Sequence, residues 1–195
     1  MNRLPSWLRQ HLVALRGLLV FTVICGIAYP VSVWAIGQAG FSDRANGSLI
    51  EAGGRVVGSS LLGQDWKGDR WFHGRASAVG YDASGSGGSN LGPNSRTLAT
   101  QVKERLGAAA KEDGVSAAQV PVDLVTTSAS GLDPDISVAA ALIQVPRVAR
   151  ARGLAPASVE RLVRSRVQER TLGFLGTRRV NVLRLNIALA ELRSP

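Results

Sequence analysis

Apolar residues fall along this chain in two regimes. From residue 17 to residue 42 nothing is charged, and residues 18–36 are almost continuously apolar. A helix over that run covers about 30 Å, the thickness of a bilayer's hydrocarbon core. Beyond it the apolar positions become periodic. Residues 55–62 read as a strand punctuated by Gly53, Gly54 and Gly63. Residues 97–111 place Leu98, Val102, Leu106 and Ala109 on one helical face, and residues 120–126 read as a second strand. Ser137 is suited to cap a helix that Pro146 interrupts and that ends at Arg152 before Gly153. Pro156 opens another, apolar at Val159, Leu162, Val163 and Val167 with arginines opposite, and residues 180–192 fit a last helix. Close-set Trp66, Trp71 and Phe72 predict an aromatic cap on the core, and residues 83–95 are rich in turn formers. The predicted class is α+β, with one N-terminal transmembrane helix followed by a single mixed helix/strand domain.

Charge orients the span. Arg3, Arg9 and Arg16 precede it while Asp43 and Glu51 follow, which by the positive-inside rule holds the N-terminus in the cytoplasm. The division is then residues 1–11 as a cytoplasmic N-terminus, 12–36 as the transmembrane helix and 37–195 as an extracytoplasmic domain. A cleavable signal would have a shorter apolar run and a small-residue cleavage site, but Tyr29, Pro30 and Trp34 stand there, so the span reads as an uncleaved anchor. Trp7 and Trp34 sit near its two ends. Pro30 breaks the hydrogen-bond ladder inside it, which predicts a kink or a packed neighbour, and Gly17, Gly26 and Gly37 offer small faces for close helix contact.

Composition narrows the functional classes. With 195 residues and 45% hydrophobic content, the chain can bury one sizeable core once the span is set aside. Its formal charge of +9 is uneven, with most of the surplus after Arg147. No repeated basic-aromatic interleaving accompanies that run, so nucleic acid is not the expected partner; carboxylates or lipid phosphates are. The only cysteine, Cys25, lies inside the span, which excludes an internal disulfide and a cysteine-based metal site.

Candidate chemistry is sparse. The two histidines are His11, beside the membrane, and His73, and nothing around His73 resembles a nucleophile elbow. Asp65 and Asp69 lie among lysine and arginine, so no metal site is expected. The glycine-rich loop 84–93 could cradle a phosphate but lacks the Lys-Ser/Thr ending of a P-loop, and it reads as a tight, buried turn. Val79-Gly80-Tyr81 matches part of a potassium-channel filter, yet it occurs once and outside any membrane hairpin.

Several short segments occur together in order: Leu61-Leu62-Gly63-Gln64, Gly74-Arg75-Ala76-Ser77-Ala78, Gly87-Gly88-Ser89-Asn90-Leu91-Gly92-Pro93, Asp123-Leu124-Val125-Thr126, Ser130-Gly131-Leu132-Asp133-Pro134, Gln144 with Arg147, and Arg179-Val180-Asn181-Val182-Leu183 with Leu185-Asn186. In that order after one N-terminal anchor, they make the chain resemble the C-subunit family of the bacterial Kdp potassium-transporting ATPase. Ala76 stands where the family pattern has proline, Asn94-Ser95 where it has Thr-Asn, and Asp135 where it has histidine.

The resemblance implies an accessory subunit in the bacterial inner membrane. It would assemble with a channel-like subunit, a P-type ATPase subunit and a small single-helix peptide, and would raise the pump's ATP affinity without being the ATPase. Consistent with that, the chain has no Asp-Lys-Thr-Gly phosphorylation motif. No cofactor is expected to bind stably; ATP enters only through the complex, with Gln144 in the position the family links to nucleotide. The turns at Gly87, Gly88, Ser89, Asn90, Gly92 and Pro93 and at Gly131, Asp133 and Pro134, together with Arg161, Arg164 and Arg166, are expected to serve subunit contact or structure. An independent membrane-tethered hydrolase or ligand-binding module is the alternative.

Overall fold

A computed structural model describes residues 5–192; Arg3, Arg193 and the C-terminal Pro195 lie outside the described residues. The chain divides into two units, residues 1–49 and 50–195.

The first unit is one apolar helix, built from α1 (Ser6–Phe21), a π-helical turn (Thr22–Ala28) and α2 (Tyr29–Ala45). It outruns the predicted span at both ends. Its 40 residues include an uncharged window with no buried side chain, the character of a membrane anchor. Pro30 explains the π-turn. Proline has no N–H, and its ring crowds the carbonyl four residues back. The ladder therefore widens just before it: the Tyr29 N–H reaches back to the Ile24 carbonyl, and Ser32 Oγ donates to the Ala28 carbonyl at 2.7 Å. The helix bends out of register only at Phe41 (φ −143°, ψ 37°).

The second unit opens with a hairpin, β1 (Leu49–Ala52) and β2 (Arg55–Ser59). Gly53 and Gly54 both have positive φ (58° and 75°), as a tight two-residue hairpin turn requires. The glycines expected to precede a strand thus join two, and the second ends at Ser59 rather than at 62. Then follow α3 (Arg96–Asp113), α4 (Val122–Val125), β3 (Asp135–Ser137), α5 (Val138–Arg152), α6 (Pro156–Ser165), β4 (Val167–Gln168), β5 (Arg179–Asn181) and α7 (Val182–Glu191). The antiparallel order β3-β5-β4 sets Val180 opposite both Ile136 and Val167.

Two expectations are corrected here. Residues 120–126 are not a strand: Pro121 starts the short helix α4, and Asp123 accepts from both the N–H and the hydroxyl of Ser137, at 2.7 and 3.0 Å. Docking overrides their β-branched preference. Nor does Pro146 interrupt α5. It stands on the exposed face, where water can satisfy the carbonyl that its missing N–H leaves free. The caps are as expected: Ser137 Oγ accepts from Ala140 N–H at 3.0 Å, and Gly153 closes the helix left-handed.

The core lies between α5, α6, α7 and the small sheet, with Ala141, Val145, Val148, Val159, Val163, Leu185 and Leu189 buried. Phe72, fully buried, enters it from the long irregular segment between β2 and α3. Trp66 and Trp71 pack against each other with ring centroids 4.9 Å apart and planes tilted by 47°, the predicted aromatic cap.

Candidate functional site

Two side-chain amides grip consecutive residues of that irregular segment. Asn186, on α7, accepts from the Phe72 N–H and donates to the Phe72 carbonyl, each at 2.9 Å. Gln144, on α5, does the same for His73, accepting at 2.7 Å and donating at 3.2 Å. Each amide stands in for the missing partner of a sheet ladder, so a strandless stretch can pass through the core with its backbone satisfied. Gln144 also donates to the Ala140 carbonyl at 3.0 Å and accepts from Arg147 Nη2 at 2.8 Å. Its two N–H groups and two carbonyl lone pairs are all engaged, and only 1% of the residue is exposed. Gln144 is a buried clamp on the His73 backbone.

Arg147 extends the clamp. Nε donates to Asp113 Oδ1 at 2.8 Å, and Nη1 donates to the carbonyls of Asp69 and Trp71 at 3.1 and 3.0 Å. Arg152 adds a bond from Nε to the Arg70 carbonyl at 2.8 Å and lies 4.3 Å over the Trp71 ring. Helices α5 and α7 thereby hold the backbone of residues 69–73, and α3 fixes Arg147 through Asp113. Burial pushes the Asp113 carboxyl above the usual carboxylate range, outweighing the pull of Arg147. A raised folded-state value favours the protonated form, so this contribution to stability is complete below about pH 3.9 and is lost as pH rises through the raised value. Relative to Asp113→Asn, the natural domain should therefore lose stability as pH climbs through that window; parallel denaturation curves of the two proteins would contradict this.

Beside the clamp is an open cleft of about 300 Å³, lined by His73, Arg75, Tyr81, Arg105 and Glu112 among others. Many of its polar groups are tied to one another and to the backbone, while the buried Arg75 Nε and Trp66 Nε1 have no partner among the described residues. His73 Nδ1 lies 3.2 Å from Glu112 Oε1, Nε2 lies 3.1 Å from the Gly68 carbonyl, and Arg75 Nη1 donates to Asp133 Oδ2 at 3.0 Å. Among the described residues no serine, threonine or cysteine lines the cleft, and its one hydroxyl, that of Tyr81, donates to the Arg75 carbonyl. Among the described residues, no three histidine, cysteine or acidic side chains gather as a metal site would need.

The two turns singled out by the sequence meet over a short stretch. Gly87 N–H donates to the Ser130 carbonyl at 2.8 Å, Ser86 Oγ to the same carbonyl at 3.1 Å, and Gly88 faces Ala129. Gly131 is buried with φ +68°. Beyond it, Asp133 holds Arg75 and caps the Asp135 N–H at 3.0 Å, and Pro134 accepts from the Val182 N–H at 2.9 Å. Ser89 is half-buried, while Asn90, Gly92 and Pro93 are exposed. The loop is thus seated only at its middle and is not the fully buried turn expected. Asp135 pairs with Arg179 at 2.8 Å and accepts from Asn181 at 3.2 Å. Arg161, Arg164 and Arg166 are exposed, away from the buried Val159 and Val163 of α6; Arg164 pairs with Glu160 at 2.7 Å.

Sequence reasoning assigned no role to Asn186, Arg147 or Asp113. A lone asparagine within the apolar run of residues 182–189 was the available signal for the first. Asp113 and Arg147 are far apart in the chain, and no spacing rule joins them.

The class these features define is a membrane-anchored α+β domain in which the buried side chains of Gln144, Arg147 and Asn186 hold its own backbone. The family model described as KdpC: K+-transporting ATPase, c chain, matches residues 11–191, and the chain belongs to that family. It is similar to the potassium-transporting ATPase KdpC subunit of Mycobacterium tuberculosis, with 53% identity over 187 residues, 94% of this chain and 99% of that one. The KdpC subunit of Bradyrhizobium diazoefficiens is 51% identical, covering 93% of this chain and 96% of its own, and that of Burkholderia mallei 56%, covering 87% and 90%. Family membership favours an accessory pump subunit over an independent hydrolase or ligand-binding module.

Proposed function

We propose that the protein is the accessory, non-catalytic subunit of an ATP-driven potassium-uptake pump. It joins a channel-like subunit, a P-type ATPase subunit and a small single-helix subunit, with its N-terminus in the cytoplasm and its folded domain outside. The match to the family over residues 11–191 carries this reading. Arg9 and Arg16 ahead of the uncharged span support the orientation.

With the domain outside, Gln144 and cytoplasmic ATP lie on opposite sides of the bilayer. The closed hydrogen-bonding of Gln144 supports an indirect route: the subunit raises ATP affinity by favouring one conformation of the pump. The turns at residues 87–93 and 130–134 hold the shape of the docking domain, and Arg161, Arg164 and Arg166 face a partner or lipid phosphates.

Affinity-tagged chain, expressed with the rest of its pump, should retain the other subunits, and a C-terminal reporter active only outside the cytoplasm should be active. Gln144→Ala should lower the melting temperature and the assembled yield, while fully assembled variant complex keeps its dependence on ATP concentration. Absence of copurifying subunits would refute the function, and a weakened ATP response in intact, stable complex would restore direct contact with nucleotide.

A further inference from the structure

The connection from β4 to β5 projects an apolar tip that the fold itself does not use. Leu172 is 79% exposed, Phe174 68% and Leu175 49%, on a part of the chain that belongs to the folded domain rather than to the anchor. Its backbone is closed on itself. Thr171 and Leu175 exchange N–H···O bonds at 3.0 and 2.9 Å, Gly173 N–H reaches the Arg170 carbonyl at 3.0 Å, and Phe174 N–H the Thr171 carbonyl at 3.3 Å. These donors are satisfied before anything docks, so the tip can enter an apolar site without orphaning them.

The turn is also built against local preference. Leu172 and Gly173 both have positive φ (55° and 82°), the conformation in which asparagine or aspartate before glycine is the usual choice. A leucine held left-handed and exposed is unfavourable twice over in the isolated domain, and such strain is characteristic of sites shaped for contact. Around the tip the charge is one-sided. Arg178 is paired with Glu169 at 2.9 Å, but among the described residues no carboxylate pairs with Arg170.

We infer that the Leu172–Phe174–Leu175 tip is a docking plug that inserts into an apolar pocket rimmed by carboxylates on a neighbouring pump subunit. A protein pocket is favoured over lipid because a fixed, strained turn presents defined side chains in a defined geometry, which a fluid bilayer surface does not select. Arg170, whose carbonyl accepts from the Gly173 N–H of the tip, supplies the complementary charge at the rim. This inference rests on the proposed function, since it needs a pump to dock on.

Leu172→Asn in the full chain, coexpressed with the pump, provides the test. Asparagine suits the left-handed turn, so the domain's melting temperature should hold or rise while retention of partner subunits falls several-fold. Arg170→Glu should also reduce retention, with the deficit shrinking as salt screens the reversed charge. A photo-crosslinking amino acid at position 172 should capture a subunit polypeptide. Unchanged retention in Leu172→Asn and in Leu172→Ser/Phe174→Ser, or crosslinks to lipid alone, would overturn the plug. Failure of the unaltered chain to retain any subunit would instead remove the proposed function beneath it.

Discussion

Arg147→Met is expected to destabilise the folded domain by about 3–5 kcal/mol, the usual range for removing one partner of a buried ion pair. Asp113 would remain, 5% exposed at its side chain, without its cation. The damage would extend further, because the carbonyls of Asp69 and Trp71 and the Gln144 Oε1 would each lose a donor. For a domain of this size the melting temperature should fall on the order of 10 °C. Asp113→Ala alone should also destabilise strongly, whereas the double variant should lose clearly less than the two single losses added, since it leaves no unpaired charge. Part of the Arg147 loss should persist in the double variant, because the orphaned carbonyls remain. Thermal denaturation of the four proteins completes the cycle, and strictly additive losses would show that the pair is not the unit of stability.

Gly131→Val should cost about 2–4 kcal/mol, combining the left-handed penalty of a β-carbon with overpacking. Its φ is +68°, and a β-carbon there would lie 2.4 Å from Val79 Cγ2 and 2.8 Å from the Gly87 carbonyl oxygen. One neighbour is the backbone of the paired loop, so relief would require separating the two turns. Gly92→Val is the control. Gly92 lies outside the left-handed region, is exposed, and would place its β-carbon 3.0 Å from only the flexible Asn94 side chain, so its loss should stay below about 1 kcal/mol. Similar losses in both variants would show that the contact at Gly131 does not decide the effect. Sequence alone treats these two glycines alike, and only the packing separates them.

The anchor, the α3 face, the Ser137 cap and the aromatic cluster were legible because each depends on residues close in the chain. Uncharged length predicts a span, a 3.6-residue period predicts a buried stripe, and a serine before apolar residues predicts a cap. Local signals misled where docking opposed them. Residues 120–126 have strand composition, but Asp123 is needed as an acceptor for Ser137, and α4 is the shape that presents it. Pro146 signals a break, yet on the exposed face of α5 it costs a single hydrogen bond that water can replace.

The ordered segments that carry the family resemblance are likewise a property of the sequence by itself, and with the uncharged span they determine what kind of protein this is. Tertiary structure alone decided what Gln144, Asn186 and Arg147 do. Their partners are backbone groups of residues 69–73, remote in the chain, and a backbone N–H or carbonyl leaves no mark in the sequence of side chains. A buried amide and an exposed amide are written with the same letter. Only the folded path of the segment around Phe72, which needed hydrogen-bond partners inside a core that had no strand to offer, made those side chains structural.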